Sequence, residues 1–267
     1  MQADLVAVLV AVTGGQPRIL TTGSGRALPA GPFTSNHRSL QASLRAWVEK
    51  QTHHPLGFVE QLYTFADRER SQQLGMHVIS ISYLALTQEL DEVGAAQPGW
   101  QDWYRYFPWE DWRDGMPGVI AERIAPALHA WSEAASDSVA RSARWQRASM
   151  TFGLDEHEWN EELVLQRYEL LFEAGVVPEA WGEGDEARAA QLLPGAAMSN
   201  DHRRILATGM ARLRAKIKYR PVVFELMPEE FSLLQLQQTV EALAGRGLHK
   251  QNFRRLIEQQ ALVEETG

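Results

Sequence analysis

The sequence predicts an α+β fold, and three observations along the chain support that class. Apolar, β-branched segments flank a "TGGQP" turn near the N-terminus. From about residue 116 to 195 the chain consists mainly of long stretches with the composition and periodicity of helices. Two short amphipathic segments lie near the C-terminus. A first part that contains a sheet, a helical middle part and a final pair of helices are therefore expected.

The first part should contain strands and one helix. "DLVAVLVAV" and "RILTT" have the β-branched composition of strands, and "MHVISISYLALT" alternates well enough to predict another strand over about 77–87. Between them, apolar residues recur at i, i+4, i+7 and i+8, at Leu40, Leu44, Trp47 and Val48. This spacing places them on one face of an amphipathic helix.

The rest of the chain is predicted to be mostly helical. The stretch from about 116 to 195 is interpreted as a helical insertion, followed by a basic helix from 201 to about 217. "RPVVFELM" has the composition of a short strand. Two compact helices are predicted in "SLLQLQQTVEALAG" and "HKQNFRRLIEQQ", joined by "RGL".

Composition excludes several classes of function. The 267 residues include no cysteine, which excludes disulfides, thiolate metal sites and a cysteine nucleophile and fits a reducing compartment. No run approaches the roughly 20 apolar residues that a membrane span needs. No group of metal-capable side chains has the spacing of a ligand set, so neither a metal nor a cofactor is predicted. A cytoplasmic protein without a membrane partner is expected.

Charge is distributed unevenly along the chain. The formal net charge is -8, but residues 202–256 contain eleven lysines and arginines against four glutamates. That segment carries +7, so the remainder carries -15. A polyanion would be repelled by the bulk of the protein and attracted to this segment, which favours an oriented contact with nucleic acid. An ordinary solvated run of charges is the alternative.

The stretch "GPFTSNHRSLQASLRAWVEKQTH" has the spacing of a known hydrolase motif. Gly31, Arg45, Trp47 and Glu49 match the Nudix box, which reads Gly, five residues, Glu, seven residues, then Arg-Glu-apolar-x-Glu-Glu-x-Gly-apolar. "LPAG" also resembles the Leu-Pro-Gly-Gly approach of that family. The resemblance continues through "EQLYTFADRER" and "HVISISYLALT" and implies a Nudix-like α/β/α sandwich.

The acidic residues of this motif are mostly replaced. His37, Ala46, Lys50 and Thr52 stand where the box has Glu, Glu, Glu and Gly. Positions 46, 49 and 50 are related by i+3 and i+4 and project from one helix face, where carboxylates would bind magnesium. Only Glu49 remains, so no catalytic residue is predicted. An active pyrophosphohydrolase with relocated carboxylates, Glu60 or Glu69, is the alternative.

A second motif lies near the C-terminus. "FSLLQLQQTVEALAGRGLHKQNFRR" predicts two helices separated by a turn that contains Gly247, the pattern of a helix-turn-helix. The second helix would present candidate DNA-binding side chains at Lys250, Gln251, Asn252, Arg254 and Arg255. Arg and Lys suit guanine or phosphate and Asn and Gln suit adenine, with Phe253 and Leu256 docking the helix. A plain helical hairpin in a protein-interaction scaffold is the alternative.

The two motifs together resemble the Nudix-related transcriptional regulators, in which a Nudix domain is fused to a winged helix. The resemblance covers about 5–115 and 197–267, is closest to the alphaproteobacterial regulators of NAD biosynthesis, and includes the Asp201-His202 pair that precedes the wing domain. It implies a homodimer that binds a double-stranded DNA operator and represses genes of NAD metabolism. The implied effector is an adenine nucleotide, ADP-ribose, NAD or ATP.

The resemblance also implies a domain division and an effector site. A sensing domain is predicted at 1–220 and a winged helix at 221–267, with a wing that is truncated or continues in a tail beyond this sequence. The nucleotide would bind at Arg45 and Glu49 together with the "DRER" arginines Arg68 and Arg70. The insertion, about 116–195, is outside the family pattern, and either extends the dimer or caps the site.

Two further segments have structural interpretations. "WQDWYRYFPWEDW" is expected to pack between the sheet and the insertion, with stacking on an adenine as the alternative. "DEHEWNEE" is interpreted as an exposed acidic helix start.

Overall fold

The chain folds around a six-stranded mixed sheet that has helices on both faces. The computed structural model describes residues 2–33, 39–52, 57–66, 78–89, 99–181, 192–219, 221–260 and 263–264. Among these residues, no helix has the length and apolarity required to cross a membrane.

The strands confirm the predicted sheet. Their bounds are β1 Gln2–Thr13, β2 Gln16–Leu20, β3 Ala30–Pro32, β4 Val59–Phe65, β5 Val78–Leu86 and β6 Trp100–Asp102. The strand order is β4-β5-β1-β2-β6, and β3 pairs with the first half of β1. Among the described strand pairs, β1–β5 is parallel and the other four are antiparallel. The "TGGQP" segment forms the β1–β2 turn, with positive φ at Gly14 and Gly15.

Seven α-helices are described, and they include each helix that the sequence predicted. Their bounds are α1 Leu40–Thr52, α2 Ala125–Glu133, α3 Ser138–Phe152, α4 Val164–Glu173, α5 His202–Tyr219, α6 Leu233–Ala244 and α7 Lys250–Gln260. A π-helical turn precedes α2, and α2 to α4 form the helical insertion.

The two faces of β1 explain the layering. Leu5, Ala7 and Leu9 point to one face, where they pack against Leu44 and Val48 of α1. The alternate residues Val6, Val8 and Val10 point to the other face, where the core includes α4, α5, α6 and α7. Because side chains alternate along a strand, one long apolar strand supplies both cores. The α/β/α sandwich predicted from the sequence is confirmed.

The aromatic segment lies between the sheet and the insertion, as predicted. Trp103, Tyr106, Phe107 and Trp109 are fully buried. The ring of Phe107 meets the ring of Tyr168 in α4 edge to face, with centroids 6.2 Å apart. These rings join the insertion to the sheet in one continuous core.

The predicted strand in "RPVVFELM" is wrong. Residues Pro221–Leu226 form a 3-10 helix. Val223 and Leu226 are buried at a spacing of three, which matches the three residues per turn of this helix and not the alternation of a strand. Beyond α7 only Val263 and Glu264 are described and neither is in a strand, so the predicted wing lies outside the described residues. The domain boundary at 220/221 stays a prediction.

Candidate functional site: the C-terminal helix pair and the motif helix

The C-terminal helix pair is defined by local signals in its sequence. Ser232 accepts a hydrogen bond from the Gln235 backbone at 3.2 Å, and the Gln235 side chain accepts one from the Ser232 backbone at 2.7 Å. This capping box satisfies donors at the start of α6. The helix ends at Gly245, whose φ of 71° is a conformation that glycine adopts without strain.

The turn between α6 and α7 is fixed by two side chains of α6. The Glu241 carboxylate accepts hydrogen bonds from the Leu248 backbone at 2.8 Å and from Gln237 Nε2 at 2.9 Å. Gln237 also donates to the Leu248 carbonyl oxygen at 3.1 Å. The turn is therefore held at Leu248 by two side chains of α6.

Helix α7 exposes the whole predicted DNA-binding set. Lys250, Gln251, Asn252, Arg254 and Arg255 are all exposed. Their side chains project from the first turns of the second helix of the pair, which is the part of a helix-turn-helix that reaches base edges and phosphates. The structure thus brings these residues together on one accessible surface.

The residues that dock α7 differ in part from those predicted. Phe253 is 7% exposed, as expected. Leu256 was expected to join it but is 46% exposed, and Ile257 is buried in its place. The reason is helix geometry, because Phe253 and Ile257 are four residues apart and share a face, whereas Leu256 lies about 100° from Ile257.

A buried ion cluster ties α6 to the rest of the protein. Arg214 of α5 donates to the Leu243 carbonyl oxygen at 3.0 Å and to Glu110 Oε2 at 2.6 Å. Glu110 also accepts from Arg167 Nε of α4 at 2.6 Å. All three charged side chains are fully buried. Tyr104 adds a hydrogen bond from its hydroxyl to the Ala242 carbonyl oxygen at 2.7 Å. The last turn of α6 is thus held by α5 and by the aromatic segment.

Much of the positive charge in 202–256 is neutralised inside the molecule. Arg220 lies outside the described residues, and six of the ten described basic residues form ion pairs with acidic residues outside the helix pair: Arg203, Arg204, Arg214, Lys216, Lys218 and Arg246. The attraction for polyanions inferred from the charge count is therefore weaker than the count suggests. Three of the other four, Lys250, Arg254 and Arg255, lie exposed on α7.

A cavity of about 210 Å³ lies beneath α7. Its lining is mainly apolar and comes from α5, α6, α7 and the 3-10 helix, with Val223, Leu236, Val240, Phe253 and Ile257 among the contributors. Its charged part comes from Glu161, Arg214, Lys218 and Arg246. The helix pair therefore rests on α5 through an incompletely filled contact.

The motif helix α1 lies on the opposite face of the sheet. Ala46 and Glu49 are exposed, and Arg45 is half-buried and donates to the Gly57 carbonyl oxygen at 2.8 Å. The side chain of Lys50 lies outside the described residues, as do Arg68 and Arg70. Within the described part of α1, Glu49 is therefore the one carboxylate on the motif face, as the sequence predicted.

Glu60 is separated from this helix by the sheet. Its carboxylate forms an ion pair with Lys216 of α5 at 2.5 Å, whereas the adjacent Val59 packs on the side of α1. Successive residues of a strand point to opposite faces, so Glu60 cannot join Glu49 in one metal site. Glu69, the other carboxylate considered, lies outside the described residues. Over the residues that the structure describes, no group of three or more His, Asp or Glu is arranged to hold a metal ion.

Asp201 and His202 lie at the start of α5. His202 Nδ1 accepts a hydrogen bond from the Leu28 backbone at 3.0 Å, next to the "LPAG" segment. Burial lowers the pKa of His202 to about 4, so the ring is neutral at physiological pH. Asp201 forms an ion pair with Arg204 at 3.2 Å. His202 therefore fastens the start of α5 to the segment that precedes β3.

Glu110 and Glu161 are buried and paired with arginines, which no motif in the sequence predicts. Glu161 belongs to "DEHEWNEE", for which an exposed acidic helix start is predicted. This prediction is wrong, because α4 begins only at Val164 and the Glu161 side chain is 6% exposed. The sequence offers one weak signal, a tryptophan one or two residues before each glutamate in "PWEDW" and "EHEWNEE". A glutamate that is fully buried is ordinarily paired, as both are here.

Comparisons with known proteins match the C-terminal part and the fold. The family model described as "NrtR DNA-binding winged helix domain" matches residues 223–267. The curated "ADPR responsive transcriptional repressor NtrR" of Acinetobacter baylyi is 39% identical over 66 residues, or 25% of this chain. The match spans about a quarter of that relative, 26% of its length.

Solved structures match over nearly the whole chain. The crystal structure of Shewanella oneidensis NrtR has a TM-score of 0.58 at 16% identity and covers 100% of this chain and 89% of its own. The same protein "complexed with a 27mer DNA" has a TM-score of 0.53 at 18% identity, covering 99% and 86%. A MutT/nudix family protein from Enterococcus faecalis has a TM-score of 0.56 at 15% identity, covering 100% and 83%. These matches confirm the fold class.

Proposed function

We propose that this chain is a DNA-binding transcriptional regulator that senses an adenine nucleotide through a Nudix-like domain without catalysis. The observation that carries the proposal is α7, which exposes Lys250, Gln251, Asn252, Arg254 and Arg255 within the segment matched by the winged-helix family model. A rigid helix with exposed cationic and amide side chains suits the major groove of DNA.

ADP-ribose is proposed as the effector and repression as the mode of action. The Acinetobacter baylyi relative is named for both properties, and the match to it includes 39% identity over 66 residues. Genes of NAD metabolism are the proposed targets, from the resemblance to the regulators of that pathway. NAD and ATP are the other effectors to be compared, because each contains the same adenosine diphosphate group.

The effector is proposed to bind over α1. Arg45, with Arg68 and Arg70, would neutralise the phosphates, and Glu49 would accept hydrogen bonds from ribose hydroxyls. We further propose that the chain acts in the cytoplasm as a homodimer whose two α7 helices lie about 34 Å apart, one turn of DNA. Effector binding would change this separation, and the coupling between the two ligands would be about 1 to 3 kcal/mol.

Magnesium-dependent hydrolysis is not expected at this site. A hard divalent cation requires several oxygen ligands. At the three ligand positions, the motif has one carboxylate, Glu49, whereas Ala46 has no ligand atom and Lys50 carries a positive charge. ADP-ribose incubated with the chain and magnesium should remain intact, as measured by chromatography. Turnover that Glu49→Gln abolishes would contradict the non-enzymatic reading.

The test of the proposed function is a selection from a random pool of DNA duplexes, followed by titration of effectors. The full chain should enrich one sequence, and ADP-ribose should weaken the complex. Arg68→Ala combined with Arg70→Ala should abolish this response and leave the affinity without effector within about twofold, because these residues are distant in sequence from α7. A normal response in the double variant would place the effector elsewhere.

A further inference from the structure

Glu161 joins the helical insertion to the DNA-reading helix pair. It lies between α3 and α4, and its Oε1 accepts from Arg246 Nη2 at 3.1 Å and from Lys218 Nζ at 3.0 Å. Arg246 is the first residue of the turn after Gly245, and Lys218 is in the last turn of α5. One carboxylate therefore contacts both the turn that precedes α7 and the helix on which the pair rests.

The backbone of Glu161 takes part in the same connection. Its carbonyl oxygen accepts from Arg214 Nη1 at 3.1 Å, and Arg214 Nε donates to the Leu243 carbonyl oxygen in the last turn of α6. The insertion thus holds the end of α6 through Arg214 and the following turn through Arg246. The two attachments lie on either side of Gly245, where the chain leaves α6.

The negative charge of Glu161 holds Lys218 and Arg246 together at this position. Burial of the side chain opposes ionisation, but hydrogen bonds and the cations of Lys218 and Arg246 outweigh it and keep the pKa of Glu161 below its ordinary value. Without the carboxylate, Arg246 would lose the carboxylate that it contacts among the described ion pairs, whereas Lys218 would keep its ion pair with Glu162 at 2.8 Å. The loss would therefore act mainly on the turn at Arg246.

We propose that Glu161 is a positioning residue for DNA recognition, which fixes the turn at Arg246 and thereby the orientation of α7. This inference rests on the proposed function, and it assigns a role to the insertion. Glu161 is buried and negatively charged, so it is not itself a contact to phosphate. It acts through Arg246 and the turn, which connect it to the exposed residues of α7.

A different role for the same contacts would be to mask cations. Arg246 and Lys218 are 47% and 36% exposed at their side chains, and both could otherwise attract phosphates. The two roles predict opposite results. Loss of a positioning residue weakens binding, whereas loss of a masking residue strengthens it and increases the dependence of affinity on salt.

The test compares Glu161→Gln with Glu162→Gln in the full chain. Glu162 is a matched control, because it also forms an ion pair with Lys218, at 2.8 Å. Among the ion pairs described, Arg246 is paired with Glu161 and not with Glu162. The probes are a duplex enriched from a random pool by the wild-type chain and a scrambled duplex of equal length. If Glu161→Gln leaves about one fifth of the molecules with α7 in the orientation that binds DNA, the apparent affinity for the enriched duplex falls about fivefold.

The expected result for Glu161→Gln is a loss of about fivefold on the enriched duplex and less than about twofold on the scrambled duplex, with an unchanged salt slope. Glu162→Gln should change both affinities by less than about twofold. General destabilisation would lower the affinities for the enriched and the scrambled duplex equally. The ratio of these two affinities therefore separates positioning from a merely structural role. Stronger binding, an equal loss on both duplexes, or identical behaviour of the two variants overturns the proposal.

A double-mutant cycle with Arg246→Gln gives a second measurement. If Glu161 acts through Arg246, the double variant should bind the enriched duplex within about twofold of Glu161→Gln alone. If the losses of binding free energy in the two single variants add in the double variant, Glu161 and Arg246 act independently, and the proposal is overturned. A wild-type chain that enriches no duplex would refute the proposed function itself, which is a different outcome from either of these.

Discussion

Arg214 Nε lies 3.0 Å from the carbonyl oxygen of Leu243, so α5 is hydrogen-bonded to the last turn of α6. The same guanidinium donates to Glu110 at 2.6 Å and is fully buried. The helix pair is therefore not an independent appendage, because its first helix shares the core of the sheet. Removal of the C-terminal segment would expose that core, and point variants are the appropriate way to test DNA binding.

Replacing Arg214 with methionine should destabilise the whole chain. The variant leaves the Leu243 carbonyl oxygen without this donor and leaves Glu110 with one of its two arginines, and loss of one member of a buried ion cluster costs about 3 to 5 kcal/mol. Unfolding in urea measures the change. Arg212→Met, an exposed arginine on the same helix, is the control and should change stability by less than about 0.5 kcal/mol. Equal stability of the two variants would contradict the role assigned to the cluster.

Gly245→Ala should destabilise the junction of α6 and the turn. Gly245 has a φ of 71°, and an added Cβ would clash with the Glu110 carbonyl oxygen and lie 2.7 Å from Arg214 Nη2. A loss of about 2 kcal/mol or more is expected from the combined strain and clash. Gly247→Ala is the matched control, because a Cβ there meets no atom within 4 Å. Thermal unfolding of both variants should show a lower midpoint for the first and little change for the second.

His202 should make stability depend on pH in the acidic range. Its folded pKa of about 4 lies below the ordinary value of 6.5, so between these values the unfolded chain binds the proton and the folded chain does not. The contribution of the neutral ring is complete above pH 6.5 and is lost as pH falls towards 4. The loss at pH 4.5 should be about 2 to 3 kcal/mol.

The measurement compares wild type with His202→Asn, whose amide oxygen can still accept from the Leu28 backbone. Wild type should be the more stable at pH 7.5, and the difference should shrink by about 2 kcal/mol at pH 4.5. Urea unfolding at the two pH values gives both numbers. A difference that does not vary with pH would show that another group is responsible.

The exposed face of α7 should carry both affinity and sequence preference. Substituting Arg255 or Asn252 with alanine should cost about 1 to 3 kcal/mol on an enriched duplex and should relax preference at one base position. Binding should weaken with salt, with a slope of about -0.9 for each phosphate neutralised. Fluorescence anisotropy over a range of salt concentrations measures all three quantities. Arg141→Ala removes an exposed arginine of α3 and is the control; an equal loss there would indicate a general effect of charge.

Local signals allowed much of the fold to be predicted from sequence. The spacing of Leu44 and Val48 predicted the face of α1, and the "NFRR" pattern after a glycine-containing turn predicted the exposed face of α7. The cluster of Glu110, Arg167 and Arg214 could not be predicted, because its members are 57 and 104 residues apart and charged residues are ordinarily expected at the surface. The strand predicted in "RPVVFELM" is wrong, because residues Pro221–Leu226 form a 3-10 helix that buries Val223 and Leu226 one turn apart.

The most direct test of the central claim is a titration of ADP-ribose into the complex of the full chain with its enriched duplex, followed by fluorescence anisotropy. The account predicts that the chain binds the duplex without effector, and that saturating ADP-ribose weakens this affinity by a factor of about 5 to 150 while remaining unhydrolysed. No sequence-specific binding, or an affinity that ADP-ribose, NAD and ATP all leave unchanged, would contradict it.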